Sequence, residues 1–250
     1  MAEPQELSIE DYKKRSRRSF LTGGVTAAAG WFAFRNVQSA DLDRRLPGPL
    51  RDIHELNESI WSSLFREDHL AQEFPISQAS VLQINGRLGI RNDPLDLDTW
   101  QMNVLGPDGE QLGTHTLDDI KALPWHEMTI EHKCIEGWAQ VTNWQGARFS
   151  DFLALYEGQL PDDITDVYLE TPDGEYYVSV DMATMRHPQT LLAYDNFGEP
   201  ISELNGAPLR LATPLKYGIK QIKRIGTIQF LRDQGGDYWG ERGYDWYAGL

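Results

Sequence analysis

Asn205-Gly206-Ala207-Pro208-Leu209-Arg210 runs on through Pro214-Leu215-Lys216-Tyr217-Gly218 to Gln221-Ile222-Lys223, and this stretch is unlike the chain around it. Between Leu204 and Arg232 there are six basic residues, Arg210, Lys216, Lys220, Lys223, Arg224 and Arg232, and no acidic one. The whole chain of 250 residues leans the other way, with 38 acidic against 23 basic residues and a formal charge of -15. Such segregation points to a local anion pocket, with arginine as a bidentate phosphate fork and lysine as a point charge. The competing reading is a solvated basic strand pair that balances acidic neighbours. Neither a Walker loop nor a G-x-G-x-x-G turn is present, so nucleotide binding has no motif behind it. The acidic field of the remainder disfavours nucleic acid and anionic membrane surfaces as partners.

Outward from this block, the composition is 40% hydrophobic and 24% charged, which is that of a globular domain able to bury a sizeable core. From Val81 onward, short runs of β-branched and aromatic residues alternate with Gly, Pro, Asn and Asp. They predict strands at Val81–Ile84, Trp100–Leu105, Met128–Ile135, Val167–Thr171, Tyr176–Val180 and Thr227–Leu231. Helices are expected at Phe149–Tyr156, with Ser150 as a cap, and around Pro188–Tyr194. Residues 80–250 therefore read as one α+β domain. Upstream, Ile53, Leu56, Ile60 and Leu64 recur at helical spacing, so an amphipathic helix is expected over 51–72, on an arm over 40–79 that serves for packing or for a partner.

Met128-Thr129-Ile130-Glu131-His132-Lys133-Cys134-Ile135 alternates with period two, which places Met128, Ile130, His132 and Cys134 on one face. Cys134 is the single cysteine, so intramolecular disulfides and multi-cysteine metal or redox motifs are excluded. Four readings of it stand side by side. A lone cysteine is commonly a buried, inert thiol. A Cys134–His132 nucleophilic pair has no oxyanion hole to go with it. Zinc held by His126, His132 and Cys134 lacks a usual ligand spacing. One thiolate on a soft transition metal, whose other ligands come from a cofactor, is chemically sound.

The first forty residues read as an address. Lys13, Lys14, Arg15, Arg17 and Arg18 precede the weakly apolar run Phe20–Phe34, a charged n-region before an h-region. Ser16-Arg17-Arg18-Ser19-Phe20-Leu21 resembles the twin-arginine export signal, so residues 1–39 are expected to direct a folded protein to the bacterial periplasm. The run is short beside the roughly 20 residues of a membrane span, and a retained anchor is the alternative to cleavage near Val37–Ala40.

Three blocks together resemble the molybdopterin-binding domain of the sulfite oxidase type of mononuclear molybdenum oxidoreductase, over roughly Val81 to Leu250. His132-Lys133-Cys134-Ile135-Glu136-Gly137-Trp138, followed by Trp144-Gln145-Gly146, is similar to the block whose cysteine ligates molybdenum. The basic stretch from Asn205 to Lys223 is similar to the block that holds the pterin and its terminal phosphate. Trp239 to Tyr247, with Glu241-Arg242-Gly243-Tyr244, resembles a segment that brings a tyrosine beside the metal.

The resemblance implies a sulfite oxidase-like α+β fold of strand-rich mixed sheets with short helices, and a Mo-molybdopterin cofactor without haem. It implies Cys134 as the metal ligand and a catalytic residue together with Tyr244, and cofactor contacts from Asn85, Cys134, Thr171, Asn205, Arg210, Gln221, Ile222 and Lys223. Where sulfite-oxidising members carry an arginine shortly after the cysteine, this chain has Trp138, Ala139, Gln140 and Val141. A strongly anionic substrate is thereby disfavoured, and the region looks closer to periplasmic methionine sulfoxide reductase catalytic subunits. The implied activity is oxygen-atom transfer, with sulfoxide-type reduction favoured over sulfite oxidation. The expected partners are a small or methionine-sulfoxide-type oxide, the twin-arginine machinery and a separate electron-transfer carrier such as a membrane b-type cytochrome, since no CxxCH haem site is present. A non-catalytic molybdopterin-binding or electron-transfer module is the rival reading.

Overall fold

The computed structural model describes residues 9–43, 45–90, 96 and 99–250. It divides into two compact units, Met1–Ile53 and His54–Leu250. In the first, helix α1 (Ile9–Ser39) carries the twin-arginine stretch and its side chains are exposed almost throughout. A two-stranded ribbon follows, β1 (Leu42–Asp43) and β2 (Leu46–Pro47), whose Asp43 lies 3.8 Å from the buried guanidinium of Arg51, a residue of the helix that comes next. No helix among the described residues is long and apolar enough to cross a membrane. The start of the expected leader, Glu3 and Glu6 included, lies outside the described residues.

Helix α2 (Gly48–Leu64) begins with Pro49 in its first turn, where a missing N–H costs nothing, and its last eleven residues belong to the larger unit. The expected extension to residue 72 does not form, because the chain beyond Leu64 turns to the sheet: Phe74 N–H donates to Thr129 O at 2.9 Å, and the Gln189 side chain bonds both polar atoms of the Ala71 backbone. The larger unit thus starts at His54 and takes in most of the stretch read as an arm.

The remaining elements are β3 (Met102–Leu105), β4 (Gln111–His115), α3 (Leu117–Lys121), β5 (Trp125–Lys133), β6 (Ala139–Arg148), α4 (Phe149–Leu153), β7 (Asp166–Glu170), β8 (Tyr177–Asp181), α5 (Met182–Arg186), β9 (Leu191–Asn196), β10 (Glu199–Pro200), β11 (Arg210–Ala212) and β12 (Thr227–Leu231). One sheet runs β4-β3-β12-β7-β8, with β12 parallel to β3 and antiparallel to β7. The other runs β10-β9-β6-β5, with β11 also on β9. The main core joins the inward faces of both sheets, Met102, Val104, Leu169, Val178, Ile228 and Phe230 from one and Ala147, Leu192 and Leu211 from the other. A second cluster, Met128, Ile130, Trp144, Leu191 and Ala193 with Leu82, covers the opposite face of the β5-β6-β9 sheet. Mixed sheets with short helices are the α+β architecture expected from the sequence.

Three local expectations give way to tertiary context. Val81–Ile84 is not a strand, because the Gln140 side chain does the ladder's work: its Oε1 accepts the Gln83 N–H at 3.0 Å and its Nε2 donates to Val81 O at 2.8 Å. The helix placed around Pro188–Tyr194 is instead strand β9, whose Leu191–Ala193 pair with β6 on one edge and β11 on the other. The helical turn forms earlier, as α5, capped by the Asp181 carboxylate on Thr184 N at 2.8 Å. Ser150 lies inside α4 rather than at its cap, which is Arg148.

Candidate active site

β5 and β6 pair over Trp125–Lys133 and Ala139–Arg148, setting Met128 opposite Trp144 and His132 opposite Gln140. The turn between them carries the cysteine: Cys134 N–H donates to Trp138 O at 2.9 Å and Gly137 N–H to Cys134 O at 3.0 Å. Cys134 therefore follows the strand's last residue and stays buried, in line with the period-two reading. Its sulfur accepts from Asn85 Nδ2 at 3.4 Å.

That turn forms one wall of a cleft holding about 940 Å³ of empty space, its open mouth included. Asn85, Cys134, Arg210, Gln221, Lys223 and Tyr244, six of the sequence-derived site residues, line it together. They come from four distant stretches of chain. Asn205 lies just behind: its backbone carbonyl accepts from Arg210 Nη1 at 2.8 Å, and its Nδ2 donates to Leu82 O at 3.3 Å. Thr171 and Ile222 are outside the wall. Thr171 closes the turn that presents Tyr176, a lining residue, by accepting the Tyr176 N–H and donating to Asp173 Oδ1 at 2.6 Å. Ile222 packs in the main core, and its carbonyl accepts the Leu211 N–H, fixing the cleft segment to β11.

The electrostatics separate the cations of the basic stretch into two kinds. Lys216 Nζ lies 2.7 Å from Asp181, Lys220 Nζ 2.6 Å from Asp237, and Arg232 bonds Asp108 at 2.8 Å. These satisfy the charge-balancing reading. Arg210 and Lys223 have no carboxylate within ion-pair distance among the described residues, and both face the cleft. Arg210 is buried, spans the carbonyls of Asn205 and Gln221, and stacks 4.5 Å from the Trp144 ring. Burial pulls its guanidinium down to about 9, which leaves it charged at neutral pH. Burial and the nearby Arg210 lower Lys223 to about 8. Lys223 is held by the carbonyls of Asn85 and Gly86, at 2.9 and 3.3 Å.

His132, on the same face as Cys134, is pushed down to about 4, first by burial and then by Arg210, so its ring is neutral at pH 7 and bonds Gln221 Oε1 at 3.2 Å. Close approach here requires glycine, since a Cβ on Gly218 would stand 2.7 Å from His132 Nε2. Gly206 sits at φ 109°, and a Cβ there would meet the Lys223 Cα at 2.9 Å. His132, Glu136, Trp138, Gly218 and Trp239 also line the cleft; the sequence blocks contain them, but the resemblance assigned none of them a role. The alternation around Cys134 already placed His132 on its face, whereas Gly218 and Trp239 stand inside the quoted blocks without a local mark of which way they face.

A buried guanidinium and a half-buried ammonium without carboxylate partners are costly unless an anion joins them. Asn205 Oδ1, buried and without a hydrogen-bond partner, adds an acceptor awaiting a donor. Cys134 supplies one soft donor, and among the described residues no cluster of His, Cys, Asp and Glu offers a full metal shell. An anionic cofactor that brings its own metal fits this set.

A family model described as the oxidoreductase molybdopterin binding domain matches residues 90–239. The chain is 30% identical over 238 residues to a protein of Azospira oryzae titled "Putative protein-methionine-sulfoxide reductase subunit YedZ1", covering 94% of this chain and 88% of that one. It is 32% identical over 156 residues to the protein-methionine-sulfoxide reductase catalytic subunit of Campylobacter jejuni, covering 56% of this chain and 52% of the relative. Among solved structures, the sulfane dehydrogenase SoxCD of Paracoccus pantotrophus superposes with a TM-score of 0.50 at 18% identity, over 57% of this chain and 40% of that one, a likeness of fold. The chain belongs to the oxidoreductase molybdopterin binding domain family. It is a molybdopterin-dependent oxidoreductase, as the resemblance of its sequence implied, and molybdenum is the metal of its cofactor. The chain spans about half the length of the methionine sulfoxide reductase catalytic subunit it matches.

Proposed function

We propose that this chain reduces sulfoxides in the bacterial periplasm after twin-arginine export. In that reaction a sulfoxide takes up two electrons and two protons, the S=O bond breaks, and a thioether and water are released. A separate carrier, a membrane b-type cytochrome, would supply the electrons. The convergence of Cys134, Arg210 and Lys223 on one cleft is the observation that carries the reading. Relatives named as methionine sulfoxide reductases support the substrate class.

When bound, the cofactor would supply two-electron oxygen-atom transfer chemistry. The chain's own residues hold and shape the reaction. Cys134 would ligate the metal, its sulfur oriented by the Asn85 amide at 3.4 Å and its backbone pinned by the Trp138 carbonyl. Arg210 and Lys223 would neutralise the terminal phosphate. Gln221 keeps His132 aligned, and the Asn205 side chain would meet the pterin with its unpartnered oxygen. Thr171 and Ile222 would act through the backbone, one shaping the Tyr176 turn and the other tethering the Gln221–Lys223 segment. Tyr244, at the mouth, would donate to the substrate oxygen.

The test measures molybdenum per polypeptide and reduction of a methionine sulfoxide peptide with a reduced dye as donor, in the exported protein and in Cys134→Ser. One metal per chain and turnover are expected, with turnover lost in the variant. Full activity of Cys134→Ser, or exported protein free of molybdenum, would overturn the assignment.

A further inference from the structure

Three lining residues of the cleft carry full charges, and they are arranged by depth: Arg210 is buried, Lys223 half-buried and Glu136 exposed. Glu136 is fixed in place, its Oε2 accepting from Asn85 Nδ2 at 3.2 Å and from Trp138 Nε1 at 3.3 Å. The indoles of Trp138 and Trp239 and the phenol of Tyr244 line the same cleft, the last two packed edge to face with centroids 5.0 Å apart. A carboxylate held by an indole N–H in a cleft that two further aromatic rings line suits a cation, which can gain from the charge and from the ring quadrupoles together.

We propose that Glu136, with Trp138, Trp239 and Tyr244, is a selectivity rim that favours sulfoxides lying beside a positive charge, such as methionine sulfoxide flanked by lysine or arginine in a polypeptide, and turns away anionic oxides. The inference rests on the sulfoxide-reduction reading and names the substrate class within it. Once Arg210 and Lys223 are matched by the cofactor phosphate, Glu136 is the charge that the lining still presents to substrate. The long-range field acts in the same direction, because a chain of formal charge -15 attracts cationic peptides.

The experiment uses molybdenum-loaded protein and three methionine sulfoxide peptides of one length, flanked by Lys, Gln or Glu. At low ionic strength the Lys peptide should exceed the Glu peptide in kcat/KM by about fivefold to tenfold, and salt should erase most of the difference. In Glu136→Gln the ratio should fall to within about twofold, Glu136→Asp should retain it, and Glu136→Lys should invert it. Tryptophan fluorescence titrations without an electron donor should give the same order of Kd, which reads the rim independently of turnover. If loaded protein leaves the Gln peptide unreduced, the sulfoxide reading fails, and the fluorescence order still decides the rim. If the Gln peptide is reduced but the Lys-to-Glu ratio is the same in the parent and in Glu136→Gln, the rim is overturned and the sulfoxide reading stands.

Discussion

Lys216 and Lys220 sit between Arg210 and Lys223 in one basic stretch, yet the two pairs live in opposite electrostatic regimes. Lys220 is fully buried against Asp237 at 2.6 Å and the Ser179 carbonyl at 2.8 Å, over the Trp246 ring. Lys216 faces Asp181 at 2.7 Å with the Tyr247 ring beneath it, and the adjoining backbone is laced to the C-terminal segment by Tyr217 N–H to Ala248 O and Leu250 N–H to Leu215 O. These two cations stitch the C-terminus to the β8 region. Arg210 and Lys223 have carbonyls for partners and a cleft in front of them. Cations of one short stretch are thus ion-paired in one place and left facing a cleft in the other, and what separates them is whether a carboxylate arrives from another element.

The contrast can be broken most sharply at Asp237. Asp237→Ala strands the Lys220 charge in the interior and should cost about 3–5 kcal/mol, read from urea unfolding. A variant as stable as the parent would remove the distinction. A second large effect lies in pH. The unfolded chain takes up a proton at His132 near the ordinary 6.5, whereas the folded ring does so only near 4, so stability is lost as pH falls through that window. Cofactor-free protein should lose up to about 3 kcal/mol between those values from this residue, and His132→Gln should show a flatter curve. His187, also lowered first by burial, contributes with the same sign.

On the ligand-binding side, Arg210→Met should leave cofactor-free protein within about 2 kcal/mol of the parent, because a charge without a carboxylate is removed along with its carbonyl contacts. Molybdenum occupancy should nevertheless drop at least about tenfold, the cost of one charge-assisted phosphate contact. Unchanged occupancy would place the phosphate elsewhere. The smallest shift is expected for Lys223→Met, under about 1 kcal/mol in unfolding with a severalfold loss of occupancy. Equal stability losses at Asp237 and Arg210 would mean that both cations are structural.

Much of the site was legible because its chemistry is concentrated in two short stretches. A lone cysteine on an alternating strand and a basic run in an acidic chain each stand out locally, and Cys134, Arg210 and Lys223 do meet. Thr171 and Ile222 were harder to place, since a residue's position in a stretch does not say whether its side chain faces the cleft or the core. The strand at Thr227–Leu231 was read with its observed boundaries because β-branched and aromatic residues fill it between glycine and charged neighbours. Leu191–Asn196 was not, because its strand state depends on having β6 and β11 on either edge.

By itself, then, the sequence determined the strand-rich α+β class, the lone cysteine of the site, the basic stretch in an acidic chain and the twin-arginine pattern, all of which are carried by local composition and spacing. Only the tertiary structure decided which cations keep a carboxylate, that His132 is held neutral beside the cysteine, and that Glu136 shares its cleft with Trp138, Trp239 and Tyr244. Those properties depend on distances between segments far apart in the chain, and burial and pairing at such distances are set by packing.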